Sequence, residues 1–311
     1  MIKKITCNIL LVWSTSFFAQ STSNGKDTLG ISQNTTLLTF NESKIVNAQS
    51  VETLKKNRIV FTLSQRFGNV YNSAVQNPLS EAGHNFFGLK SLSDLRFAID
   101  YGITNNITIG LGRSSYREMI DGTFKWKLMS QYSGNNFPVS ICFYGNAAYS
   151  AMTTENIYSG TIKPKTNELH RLQYCSQLLI AKKFNESFSL QVMPTYVYRN
   201  FIKQQLNVFN GKENKNGMFS IGIGGKILLN KSVSACVDYF YNFSAFQTKN
   251  PFGYYNVLGL GVEIKSGKNV FHINVTNAVA ILESSFLPAS NDSWKNGQIR
   301  LGFNISKWYN L

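Results

Sequence analysis

Three groups of residues in this chain of 311 have types and spacings that chemistry could use. The first is GLGRSS, residues 110–115, with two glycines, an arginine and two hydroxyls. A dinucleotide-binding loop needs Gly-x-Gly-x-x-Gly between a strand and a helix. Its glycines let backbone approach the pyrophosphate, and the helix N-terminus faces the charge. Here Ser115 stands where the third glycine belongs, and no helical periodicity follows. The second group is the histidines, His84, His170 and His272, which lie far apart with no metal-ligand spacing. In FHINVT, His272 and Asn274 share one face, as in the Ser, His and Asn cluster of an outer-membrane phospholipase. No partner serine is identifiable. The third group is the cysteines. Cys142, Cys175 and Cys236 are widely spaced and, without Cys7, odd in number, which suits neither a disulfide framework nor a metal site. No catalytic residue, metal or cofactor is expected, and the chain does not read as an enzyme.

The same stretches make better sense as elements with a two-residue period, the mark of strands exposed on one face and covered on the other. Ile107, Ile109 and Leu111 point one way, and Thr108, Gly110, Gly112 and Ser114 the other. The glycines then leave space for long side chains of neighbouring strands. Arg113 falls where such a strand would reach headgroup phosphates. The alternation recurs along the chain. It is carried by Ile59, Phe61 and Leu63, by Leu95, Phe97 and Ile99, by Phe124, Trp126 and Leu128, and by Ile221 and Ile223. It continues through Leu258, Leu260 and Val262, then Leu301, Phe303 and Ile305. About twelve strands result, an even number, as bacterial membrane barrels prefer. Long polar connections around residues 68–93, 115–122, 149–167, 200–215, 244–253 and 278–296 alternate with tight turns such as ITNN, KFNES and NKS. A soluble sandwich has no reason to sort its loops this way. An outer-membrane barrel does, with short periplasmic turns and long outer loops.

Composition agrees. Charged residues are only 15% and aromatics 14%, yet no stretch offers about 18 consecutive apolar residues for a membrane helix. Residues 1–20 carry Lys3 and Lys4 ahead of a short apolar run ending at Ala19, the pattern of a signal peptide. Cys7 precedes that run, so no lipobox is formed. Residues 21–57 read as a periplasmic leader and 58–311 as the barrel, with both termini periplasmic. The C-terminal segment QIRLGFNISKWYNL resembles in part the signal read by the barrel-assembly machinery.

KIVNAQSVETLKKNRIVFTLSQRFG, FFGLKSLSDLRFAIDYGITNNITIGLGRSSY and DGTFKWKL resemble the β-barrel family known as domain of unknown function 5777. The resemblance is densest over residues 44–130. It implies an all-β outer-membrane barrel and supplies no catalytic residues.

The strand phase puts Arg58, Arg66, Arg96, Lys125, Lys127, Arg171, Lys226 and Arg300 on the lumen side, with Asp100, Asp238, Glu263 and His272. An open lumen so lined would favour small anions. Equally, such groups can pair within a plugged interior, because twelve strands enclose a narrow space. A porin-like channel and a non-conducting barrel that binds or scaffolds at the surface are both compatible with the sequence. In the second case the loop at 68–93, with its HNFFGL, would fold over the mouth as a lid. The net charge of +15 fits export to a membrane rich in anionic lipopolysaccharide and gives no reason to expect nucleic acid. Expected partners are outer-membrane lipids, lipopolysaccharide and, during biogenesis, the barrel-assembly machinery.

Overall fold

The computed structural model describes residues 36–132, 137–152, 167–202 and 205–311. The signal-peptide reading, Cys7 and most of the loop at 149–167 lie outside the described residues. Twelve antiparallel strands close into one barrel. In chain order they are β1 (Arg58–Asn69), β2 (Leu92–Gly102), β3 (Ile107–Ser114), β4 (Met119–Met129), β5 (Ser140–Ser150), β6 (Leu172–Lys183) and β7 (Phe188–Arg199). After a two-stranded rim hairpin, β8 (Leu206–Asn207) and β9 (Lys212–Glu213), follow β10 (Gly217–Leu228), β11 (Val233–Phe243), β12 (Val257–Ser266), β13 (Asn269–Thr276) and β14 (Arg300–Asn310). Each barrel strand pairs with its barrel neighbours in sequence, and β1 closes on β14 from Arg58↔Asn310 to Asn69↔Arg300. Closure leaves no strand edge without hydrogen bonds, which hydrocarbon surroundings require.

The short turns use one device. Thr104 Oγ1 accepts from the backbone N–H of Asn106 and Ile107. Asn185 Oδ1 does the same for Ser187 and Phe188, and Asn230 Oδ1 for Ser232 and Val233. A side-chain oxygen reaching two and three residues ahead stands in for the missing ladder partner and fixes the reversal. The β12–β13 turn instead relies on Gly267, whose φ of 57° suits glycine.

Outward positions form an apolar belt. Phe97, Leu111, Trp126, Leu128, Ile221, Leu260 and Ile273 are all exposed. The hydrophobic core lies inside the barrel. It contains Phe40, Ile45, Val46 and Val51 from the segment before β1, and Phe286 and Leu287 from the β13–β14 connection. These pack on Leu179, Met193, Val197 and Phe240 of the wall. Within that connection lies a helical turn, α2 (Glu283–Phe286), in which every residue is buried. The loop after β1 carries α1 (Pro78–His84).

One expectation changes here. Residues 36–57 are not a leader beyond the barrel, because Thr39 to Glu52 run against its inner wall with their larger apolar side chains buried. In the loop at 68–93, Phe86 and Phe87 are 69% and 56% exposed. The connection that turns inward is the one at 277–290, where Ala278, Ala280, Ile281, Leu282, Phe286 and Leu287 are buried together with the polar Glu283, Ser284 and Ser285.

Candidate functional site

The segment before β1 makes a tight reversal inside the barrel. Ile45 N–H donates to Ala48 O at 2.8 Å, and Ser50 N–H to Ser43 O at 2.8 Å. Asp238 on β11 holds the tip. Its Oδ2 accepts from the N–H groups of Val46, Asn47 and Ala48 at 3.1, 2.6 and 2.8 Å, and its Oδ1 from Asn47 Nδ2 at 2.8 Å. A carboxylate facing three successive N–H groups satisfies donors that a buried turn would otherwise leave unpaired. Gly259, beside Asp238, leaves the room this requires, since a Cβ there would collide with Asn47 Nδ2.

Other wall side chains hold the two arms. Gln191 on β7 acts as a strand partner, accepting from Val51 N–H at 2.8 Å and donating to Gln49 O at 2.7 Å. Lys125 on β4 donates to Ser43 O and Ser50 O at 2.9 and 3.1 Å, bridging both arms. Lys127 pairs with Glu52 at 2.7 Å. Glu52 also accepts from Thr39 and Phe40 N–H. Asn41 donates to Glu263 at 2.6 Å.

The β13–β14 connection enters from the opposite, long-loop rim. Asp94 accepts from Ile281 N–H at 2.9 Å and from Tyr116 N–H at 3.0 Å. Gln173 donates to the hydroxyls of Ser284 and Ser285. Phe286 meets Phe240 edge-on with ring centroids 5.7 Å apart. The two segments touch at mid-lumen. Gln49 Nε2 donates to Glu283 Oε1 at 3.1 Å, and Lys44 Nζ to Ile281 O at 3.3 Å. Glu283 takes its further bond from Tyr144 OH.

The residues singled out from the sequence sit as follows. Arg66 is 3% exposed and donates to Asn47 Oδ1 at 2.7 Å. Arg96 is locked in a two-point contact with Asp121, at 3.1 and 2.6 Å. Gly112 makes that pair possible, because a Cβ there would overlap Arg96 and lie 2.7 Å from Asp121 Oδ1. GLGRSS thus cradles an ion pair, and its Arg113 reaches the exposed Glu118 carbonyl at 2.7 Å. Lys226 is 8% exposed, with its ammonium 5.7 Å from the Phe40 ring. Arg300 pairs with Asp292 at 2.6 Å. Glu263 faces Ser234 and His272 across its two ladders. His272 and Asn274 are buried on the inner face, 3.3 Å apart. Asp100 and Arg58 border a cavity at the short-turn end, and Arg58 also lies 4.1 Å over the Trp308 ring. Arg171 departs from the lumen set: it belongs to a 3-10 turn at the long-loop rim, with Tyr149 and Glu168 as partners.

Two inward carboxylates, Asp94 and Asp121, are additions to the acidic residues read from the sequence, and both are fully committed to bonds. The strand phase was the available signal, since each stands one position before an outward residue. Two groups on the inserted segment are tuned by its surroundings. Burial pushes the Glu42 carboxyl up to about 7, opposed by a hydrogen bond from Ser306 and reinforced by Glu263. Burial draws the Lys44 ammonium down to about 8, against the pull of Glu283.

A family profile described as a membrane bound beta barrel domain (DUF5777) matches residues 40–309. The chain belongs to this family. The match begins at Phe40, so the DUF5777 domain includes the plugging segment as well as the wall. No curated protein matches. Among solved structures, the chain is similar to the NanC porin at 5% identity and a TM-score of 0.45, over 81% of this chain and 99% of that one. It is also similar to the translocator domain of the autotransporter NalP from Neisseria meningitidis, at 10% identity and 0.40, over 84% and 91%. A triple mutant of Rhodopseudomonas blastica porin matches at 10% identity and 0.30, over 70% of this chain and 56% of that one.

Proposed function

We propose that this DUF5777 barrel is a channel-type outer-membrane protein closed at rest, with residues 36–57 as its gate. The observation that carries the reading is the Asp238 cradle. A wall carboxylate grips the tip of a chain segment that enters from the short-turn rim and is continuous with the N-terminus. The segment also packs Phe40, Ile45, Val46 and Val51 on the wall, but its tip is held by hydrogen bonds. A polar grip can be exchanged for water, so the segment can leave without exposing the wall to a large unpaired cost. In this reading the short-turn rim and both termini face the periplasm, and a periplasmic event draws the segment out. The wall left behind includes Arg66, Lys125, Lys127 and Lys226, which favours small anions over cations. Asp238 and Glu263, uncovered by the same movement, and Asp100 temper that preference. The reading is not enzymatic, since His272 and Asn274 face the sealed interior and not lipid.

A second reading has one specific support. Phe86 and Phe87 are exposed with φ of 51° and 53°, a left-handed backbone that bulky residues rarely adopt. A permanently closed barrel could present them as a binding surface.

Planar-bilayer recordings separate the two. The full chain should be silent, and a chain lacking residues 36–57 should carry current. Silence from both would leave only the second reading, and steady current from the full chain would end the gating proposal.

A further inference from the structure

Between the inserted segment and the wall of β1–β4 and β14 lies a cavity of about 920 Å³ that reaches the short-turn rim. A space of this size suits a small molecule. Its lining holds seven cationic side chains against three carboxylates. Some of these cancel. Arg96 is matched by Asp121, and Lys127 by Glu52. Lys125 and Lys44 are different. Their hydrogen-bond partners are the neutral carbonyls of Ser43, Ser50 and Ile281. Lys125 is only 5% exposed, so water screens its charge poorly. An ammonium bonded to neutral carbonyls has no ion-pair partner among those bonds to cancel its charge. Glu42 and Asp100 border the same space and oppose that charge in part. At the mouth, Lys55 and Lys265 are exposed and add a positive funnel.

From this arrangement we infer that the cavity is a binding site for a small, multiply charged anion bearing phosphate or carboxylate groups. The anion enters from the short-turn rim and rests against Lys44 and Lys125. Multiple charge matters, because a single negative charge would gain little beside Glu42 and Asp100. Two ammonium groups lining one cavity reward two anionic groups on one molecule. The inserted segment forms one side of the site and Lys44 belongs to it, so the site exists only while the barrel is closed. The inference rests on the closed-barrel reading and names what that closed state holds.

The test is isothermal titration of the full chain, refolded in detergent at low salt, with inorganic pyrophosphate and with citrate. Neutral maltotriose serves as the control. Saturable binding with one site per chain is expected for at least one anion and none for maltotriose. Lys44→Gln and Lys125→Gln should each weaken it at least tenfold. Lys44 lies outside the wall, so its replacement does not threaten barrel folding; heat-modifiable migration checks the Lys125 variant. Binding should vanish in the chain lacking residues 36–57. No saturable binding by either anion up to about 10 mM, or unchanged affinity in both lysine variants, overturns the site. Bilayer recordings report on the gate separately. A truncated chain that conducts, beside a full chain that binds neither anion, would sink the site and leave the gate standing.

Discussion

Replacing Asp238 by alanine should release the inserted segment while leaving the barrel intact. The carboxylate makes four hydrogen bonds to the segment, three from backbone N–H groups. An undocked segment recovers water at those groups, so the net worth of each bond is taken as about 1 kcal/mol, the ordinary value and below the range for bonds to a charged group. The sum is about 4 kcal/mol, roughly a thousandfold in the docking equilibrium. The wall loses little, because Asp238 keeps its backbone pairing with Gly224 and Gly259. Tryptic cleavage after Lys44 reads the outcome. That lysine is half-buried in the docked segment, whereas Lys55 and Lys56 are exposed in either state. In folded, heat-modifiable protein, cleavage after Lys44 should accelerate by about two orders of magnitude or more, with cleavage after Lys55 unchanged. A variant cut after Lys44 as slowly as the parent would refute the claim that Asp238 anchors the plug.

Docking should also depend on pH through Glu42. Its docked value of about 7 lies above the ordinary carboxyl value, so the docked segment binds a proton that the free one releases. Docking is strongest in acid and weakens as pH rises to about 7, then levels off. Lys44, drawn down to about 8, contributes only above that pH and leaves this window to Glu42. A spin label at Thr53→Cys, in a background without native cysteines, should be more mobile at pH 7.5 than at pH 5, and Glu42→Gln should flatten the difference. Gly112→Leu, which drives a side chain into Arg96 and Asp121, should cost about 1–3 kcal/mol in urea unfolding. Gly122→Ala, with open space at its Cβ, should cost far less. Trp126→Cys should resist a water-soluble thiol reagent in lipid, while Lys127→Cys, which borders the cavity, should react.

The wall was legible because its signal is repeated. Most outward strand positions hold Ile, Leu, Val or an aromatic, and three tight turns supply Thr or Asn as a side-chain cap. The plug was harder to read. Its signal was an exception to the same rule: Leu179, Met193, Val197 and Phe240 are apolar in the inward phase, where a water-filled lumen would place polar groups. Ile45, Val46 and Val51 in the leader were the matching surface. These two sets meet only in three dimensions, and neither has a spacing that announces the other. The charged residues show the same limit. Alternation reports that Lys125 and Asp238 face inward, but not that each would be spent on the backbone of residues 43–50.

Thiol labelling of the parent barrel in lipid tests the central claim most directly. Ala48 is 0% exposed at the tip of the inserted segment, and Lys56 lies exposed a few residues before β1. In a background lacking native cysteines, Ala48→Cys and Lys56→Cys would be exposed in turn to a membrane-impermeant maleimide on both sides of the bilayer. A plugged lumen predicts that position 56 reacts at the rate of a free thiol and that position 48 reacts at least a hundredfold more slowly from either side. Equal rates at the two positions would mean that the segment does not occupy the lumen.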